Sequence, residues 1–182
     1  MVLTIGHSTR TLEAFVALLR VHGVRAVVDV RRFPGSRRVP WFGGTALAGA
    51  LAELGIAHHH EPDLGGRRRA RSDSDNGAWR NEAFRGYADH MQSAVFADGL
   101  ERLLARAAEL PTAILCAEAV PWRCHRTLIA DALVARGEEV RHILGTDPPR
   151  RHELSPHAHV EAGRLTYPVR PSGGLTQESS DD

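Results

Sequence analysis

An α/β fold built on a parallel sheet is what this sequence predicts, and three observations predict it. Short apolar runs alternate along the chain with stretches of helical spacing. The runs are continuous rather than alternating, which suits strands buried on both faces. Polar residues gather where these runs end. The expected architecture is a Rossmann-like parallel sheet of about five strands with helices on both faces, plus a small C-terminal hairpin.

Each element has its own justification. "VLTI" (2–5) reads as a buried strand, and "TLEAFVALLRVHG" follows with apolar residues at Leu12, Phe15, Val16 and Leu19. Thr11 is placed to cap that helix and Gly23 to stop it. "VRAVVDV" (24–30) is the second strand, "TALAGALAELG" (45–55) the second helix and "IAHHHE" (56–61) the third strand. Residues 83–93 and 98–109 read as helices, the latter started by Asp98. "TAILC" (112–116), a helix over 125–136 and "EEVRHIL" (138–144) complete the alternation. Pro and Gly make loops of 31–44 and 62–81. We divide the chain into an α/β domain (1–145), an extension packing on it (146–170) with a hairpin around Ala162 and Gly163, and a disordered tail (171–182).

Composition excludes several classes. The 23 basic residues face 22 acidic ones, so no global charge announces a polyanion. Every basic side chain is arginine, which removes lysine amine or Schiff-base chemistry. The 2 cysteines do not make a disulfide scaffold. No apolar run approaches the roughly 20 residues that span a bilayer, and "MVLTIGHSTR" lacks the layout of a signal peptide. The expectation is a cytoplasmic protein with no membrane association.

In a parallel sheet of this kind ligands bind beyond the carboxyl ends of the strands. Those ends carry Gly6-His7-Ser8, Asp29-Val30-Arg31, Glu61 and Cys116-Ala117-Glu118. Both cysteines fall in one strand-to-helix connection, "CAEAVPWRCHR" (116–126). Zinc is disfavoured there: C-x7-C-H is no standard zinc spacing, and adjacent Cys124 and His125 would struggle to share an ion. A zinc deaminase uses H-x-E followed by P-C-x-x-C; Cys116-Ala117-Glu118 imitates the first half, but the second half is one cysteine short. A phosphatase-type loop needs C-x5-R, whereas Cys116 and Arg123 are spaced C-x6-R. Thiol chemistry stays open, because Cys124 would lie at a helix N-terminus, and so does plain packing. Anion binding at that helix start, flanked by Arg123 and Arg126, fits best.

Two arginine clusters follow the second and third strands. Arg31, Arg32, Arg37 and Arg38 lie in one loop, and Arg67, Arg68, Arg69 and Arg71 in the other, with Phe33, Trp41, Phe42 and Trp79 nearby. One charged run is usually a solvated face. Two at the same edge of the sheet point to a phosphate-bearing polymer, with aromatics to stack on bases.

"TIGHSTRTLEAFVALLRVHGV", "VVDVRRFPGSRRVPWF", "LGGRR" and "CAEAVPWRCHRTLIADAL" together resemble the family catalogued as domain of unknown function 488, from Thr4 to about Tyr167. The resemblance implies a Rossmann-like α/β domain and no particular activity. Its motifs carry over onto His7, Ser8, Asp29, Arg31, Pro34, Ser36, Gly65, Gly66, Cys116, Glu118, Cys124, His125 and Arg126. The run "ARSDSDNGAWRN" departs from the pattern.

The function expected from these residues is hydrolysis of the N-glycosidic bond of a modified base in nucleic acid, DNA before RNA, without cofactor or metal. Asp29, Glu118 and His7 are the catalytic candidates. Ser8, Arg31, Ser36, Cys116, Cys124, His125 and Arg126 are the substrate contacts. Arg32, Arg37, Arg38, Trp41, Phe42, Arg67, Arg68, Arg69 and Arg71 are the polymer contacts. The alternatives are a non-catalytic nucleic-acid or nucleotide-binding module, and a thiol-dependent transferase using Cys116 or Cys124.

Overall fold

Eight strands and five α-helices, with short 3-10 turns between them, make up residues 1–35 and 37–169, which the computed structural model describes. The order is β1 (Val2–Gly6), α1 (Leu12–Val21), β2 (Ala26–Asp29), α2 (Gly44–Glu53), β3 (Ala57–His60), α3 (Glu82–His90), α4 (Ala94–Glu109), β4 (Thr112–Cys116), α5 (Arg126–Ala135), β5 (Val140–Ile143), β6 (Arg150–Arg151), β7 (His159–Glu161) and β8 (Arg164–Thr166). Six strands form one sheet in the order β3-β2-β4-β1-β5-β6. The first five run parallel, and only β6 pairs antiparallel, against β5. β7 and β8 form a separate hairpin around Ala162 and Gly163, both at positive φ as a tight turn requires.

Two apolar clusters sandwich the sheet. Leu3, Ile5, Val27, Ala113 and Leu115 face Phe15, Leu19, Leu47 and Leu51 of α1 and α2. Val2, Val28, Ile114 and Cys116 face Tyr87, Phe96, Leu100, Leu128 and Ile129 of α3, α4 and α5. Successive residues of one strand point to opposite faces, and because both faces are covered the run reads as continuously apolar. The sheet is therefore legible in the sequence, whereas the assignment of each residue to a face is not.

Local chemistry sets the helix starts. The Thr11 hydroxyl accepts from Ala14 N, and the Asn81 side chain accepts from Ala83 N and Phe84 N. α4 begins four residues earlier than Asp98 suggested, because the Ser93 hydroxyl accepts from Phe96 N and caps it; Asp98 lies on its exposed side.

The extension after residue 145 is bound into the domain. β6 joins the main sheet, and Leu165 and Tyr167 belong to one of the two cores. The expected tail over 171–182 lies outside the described residues. Among the described residues no helix is long and apolar enough to cross a membrane.

β1 and β4 are neighbours at the centre, with Gly6 paired to Cys116. From β1 the chain turns to α1 on one face, and from β4 to α5 on the other. Such a divergence leaves a crevice at the carboxyl ends of the two strands.

Candidate functional site

A cavity of about 340 Å3 opens at that crevice, lined by His7, Arg31, Arg32, Phe33, Gly35, Gly66, Arg67, Cys116, Ala117, Glu118, Cys124 and His125. A second recess of about 190 Å3 shares Gly66, Arg67, Glu118, Cys124 and His125 with it and extends to Phe84, Tyr87 and Arg123. The structure thus draws together residues that lie up to about 118 positions apart in sequence.

Two glycines let the loops close this far. The chain leaving β4 crosses directly over β1: His7 N donates to Cys116 O at 3.0 Å and Ser8 N to Ala117 O at 2.8 Å. A Cβ on Gly6 would lie 1.7 Å from the Glu118 carbonyl oxygen, so no side chain fits there. One on Gly66 would lie 2.9 Å from His125 Nδ1, so the 62–81 loop also rests against the site through a bare backbone. Ser8 (φ 51°) and Arg67 (φ 59°) both hold left-handed backbone beside the cavity, a conformation that costs L-residues energy and clusters at functional sites.

One wall is closed upon itself. Arg31 donates from Nε to Asp29 Oδ1 at 2.8 Å and from Nη2 to Asp29 Oδ2 at 2.5 Å, and its backbone N–H also bonds Oδ1. Arg31 Nη1 lies 3.2 Å from His7 Nε2, while His7 Nδ1 faces Ser8 O at 2.8 Å. Only one arrangement satisfies these partners: Nδ1 carries the proton and Nε2 accepts from Arg31. The His7 ring stacks on Phe42 at 4.3 Å. Burial, reinforced by the Arg31 charge and partly offset by the Ser8 carbonyl, lowers the His7 pKa to about 4, so the ring is neutral. Burial raises the Asp29 carboxyl, but the Arg31 bonds outweigh it and bring the pKa to about 2.

The opposite wall is different. Glu118 is exposed at the mouth, and its carboxylate makes no hydrogen bond or ion pair with any described residue. Cys116 Sγ and Cys124 Sγ lie 2.8 Å apart. His125 Nε2 donates to Val30 O at 3.1 Å, leaving Nδ1 as an acceptor 3.5 Å from Cys124 Sγ. Burial lowers the His125 pKa to about 4. No group of three or more potential metal ligands occurs among the described residues.

Several expected site residues take other roles. Asp29 has both oxygens engaged by Arg31 and is a positioning residue rather than a free base. Phe42 is fully buried, packed on His7 and Phe15, so it cannot stack on a base. Trp41 is partly exposed but bonds Arg10 O. Arg126 is 1% exposed beneath the 117–123 loop, where Nη2 holds Glu118 O and Ala119 O. Two amides of the expected helix-start anion site are already engaged, Cys124 N by Pro121 O and Thr127 N by Cys124 O. Arg68 bonds the carbonyls of Pro62, Asp63 and Gly65. Arg71 pairs with Asp73 and borders a different cavity. Glu61 pairs with Arg102 and Arg106 rather than facing the crevice. Arg37, Arg38 and Arg69 are exposed without lining the cavity. Ser36 lies outside the described residues.

What remains as a cationic rim is Arg32 and Arg67. Arg32 donates to Arg67 O at 3.1 Å and lies over the exposed Phe33 ring. The Arg67 guanidinium has no partner among the described residues.

A family model described as "Domain of unknown function DUF488" matches residues 11–133. That span covers α1 through most of α5, including Asp29, both arginine loops and the whole 116–126 connection; β1 and the C-terminal extension lie outside it. Comparison with curated proteins and with solved structures returns no match.

Proposed function

We propose that this chain, which belongs to the DUF488 family, is a hydrolase that excises a modified base from nucleic acid, with DNA as the polymer. A single observation carries the reading. Among the described residues Glu118 is the only carboxylate lining the crevice, and it has no partner there. It faces a cavity whose floor offers two thiols and whose rim offers two arginines.

Hydrolysis of an N-glycosidic bond needs a carboxylate that activates water or stabilises the oxocarbenium-like sugar. Glu118 is free for either task, whereas Asp29 is neutralised by Arg31. Arg32 and Arg67 are placed to take the phosphates flanking an extruded nucleotide. His7 and Arg31, bonded to one another and to Asp29, form a fixed polar wall on the other side of the cavity. The chain has no lysine, and the Met1 amine lies beside Glu138 at the far end of β1. Amine attack on the sugar therefore has no nearby nucleophile, and water is the acceptor.

The test is release of free base, read by mass spectrometry, from duplexes carrying a panel of modified bases. Pyrimidines with an oxidised methyl group, such as hydroxymethyluracil, come first, because the site mixes hydrogen-bonding groups able to grip an added hydroxyl. The expected product is an intact abasic strand. Glu118→Gln should abolish release while leaving binding in place. Trapping of a covalent adduct by borohydride would overturn the hydrolytic route. Salt-dependent binding without release of any base would leave a binding module instead.

A further inference from the structure

The two sulfurs of the site are placed for chemistry that base excision does not use. Cys116 ends β4 and Cys124 precedes α5, and both are buried. At 2.8 Å their Sγ atoms are closer than two sulfurs in van der Waals contact. Both nevertheless line the solvent-open cavity, so a small molecule can reach them. The seven residues between them form a loop with one 3-10 turn, Pro121–Arg123, which can follow a slight approach of the sulfurs without disturbing the sheet.

We propose that Cys116 and Cys124 form a reversible dithiol–disulfide pair, oxidised by a small hydroperoxide entering through the cavity, with Cys116 attacked first and Cys124 resolving. This assignment stands on the sulfur geometry and does not depend on the base-excision reading.

The asymmetry between the two thiols fixes the order. Burial raises the Cys116 thiol, but the Cys124 S–H bond and the Arg126 guanidinium outweigh it and bring its pKa below the ordinary cysteine value. Cys124 is pushed well up, first by serving as donor to Cys116 and then by burial. The thiolate is the nucleophile, so Cys116 attacks. Its sulfur takes the outer oxygen of the hydroperoxide as the O–O bond breaks. A proton completes the departing alcohol, or water when the oxidant is hydrogen peroxide, and Cys116 becomes a sulfenic acid. Cys124 sulfur then attacks the Cys116 sulfur. The S–S bond forms, the S–O bond breaks, and the hydroxide leaves as water. The proton lost by Cys124 passes to that hydroxide through His125 Nδ1, the acceptor 3.5 Å away. In sum, two thiols and one hydroperoxide give a disulfide, an alcohol and water. The disulfide ties the end of β4 to the start of α5 and clamps the loop that carries Glu118.

The experiment treats the folded full-length chain with hydrogen peroxide, blocks free thiols with an alkylating agent, and reads the intact mass and its disulfide-linked peptides. The expected result is a loss of about 2 Da, no alkylation, and full recovery after a dithiol reductant. Cys124→Ser should stop at a sulfenic acid on Cys116, trapped by dimedone at least about tenfold faster than any label on Cys124 in Cys116→Ser. Two alkylatable thiols after peroxide would overturn the proposal. So would over-oxidation of the wild type to a sulfinic acid, or a disulfide between two chains. If either serine variant fails to fold, the wild-type mass alone decides.

Discussion

Two histidine networks lie along β1, each beside a cavity, and they differ in how their hydrogen bonds close. At its carboxyl end, His7 and Arg31 line the open crevice, with Asp29 buried behind them. In mid-strand, the Thr4 hydroxyl lies 2.7 Å from His142 Nδ1, His142 Nε2 lies 3.0 Å from His152 Nδ1, and His152 Nε2 lies 2.8 Å from Asp131 Oδ1. Tyr167 OH donates to Asp131 Oδ2 at 2.8 Å and Ser155 N to Oδ1 at 3.0 Å. One order of donors satisfies these bonds, each pointing from Thr4 toward Asp131. Nothing is left unpaired. This network joins β1, β5, α5 and the extension, and it fastens the C-terminal segment to the domain. The crevice has equally buried polar groups on one wall, yet across from them Glu118 and Arg67 lack partners. A histidine with a lowered pKa therefore marks burial here and does not by itself mark a site.

The sharpest way to break that comparison is to remove a carboxylate from each region. Asp131→Ala strands three donors in the interior. Loss of one member of a buried charged network costs about 3–5 kcal/mol, so the melt should fall accordingly and the extension should become protease-sensitive. Glu118→Gln should change stability by less than about 0.5 kcal/mol, yet lower base release by at least about 100-fold. Denaturant unfolding beside single-turnover assays measures both. A Glu118 variant that unfolds, or an Asp131 variant that melts like wild type, would invert the assignment.

Acid should act on both networks together. His7 and His125 have pKa values lowered to about 4 and His142 to about 3, each chiefly by burial. The unfolded chain titrates these side chains near pH 6.5. Between that value and pH 4 the unfolded state holds protons the folded state does not, so stability rises with pH and falls on acidification. The dependence of unfolding free energy on pH across this window should correspond to uptake of about three protons. Asp29 adds its own loss only below the ordinary aspartate range, as the pH falls toward its pKa of about 2. A flat profile from pH 6.5 to 5 would mean that these rings titrate in the fold as they do in the unfolded chain.

Much of this arrangement is legible in the sequence, and the remainder has an identifiable cause. The strands announce themselves because burial on both faces demands continuous apolar runs, and the strand ends bring His7, Arg31, Cys116 and Glu118 to one edge. The roles of Phe42, Arg68, Arg71 and Arg126 are not legible. Each is decided by distant packing or by a loop carbonyl, and a charged or aromatic residue carries no mark of whether its partner is solvent or backbone. The Thr4–His142 bond spans 138 positions, with no spacing to betray it. The helix start offers fewer amides than expected for a local reason, because Cys124 N closes the 3-10 turn onto Pro121 O and Thr127 N bonds Cys124 O.

The smallest effect discriminates among the arginines. If the rim of the crevice holds a nucleic-acid backbone, each phosphate contact contributes about 0.9 to the slope of log affinity against log salt on duplex DNA. Arg67→Ala removes a guanidinium that has no partner within the described residues, so the slope should drop by about one unit. Arg71→Ala removes one that pairs with Asp73 at 2.9 Å beside another cavity. Its slope should stay at the wild-type value, and an exposed pair of this kind contributes little to stability. Arg68→Ala should lower binding only through the loop whose carbonyls it holds, so affinity falls with a smaller change in slope. Titrations of a fluorescent duplex at several salt concentrations separate the three. Equal slope changes for Arg67→Ala and Arg71→Ala would show that the cations act as a diffuse charged face, and the crevice would lose its rim.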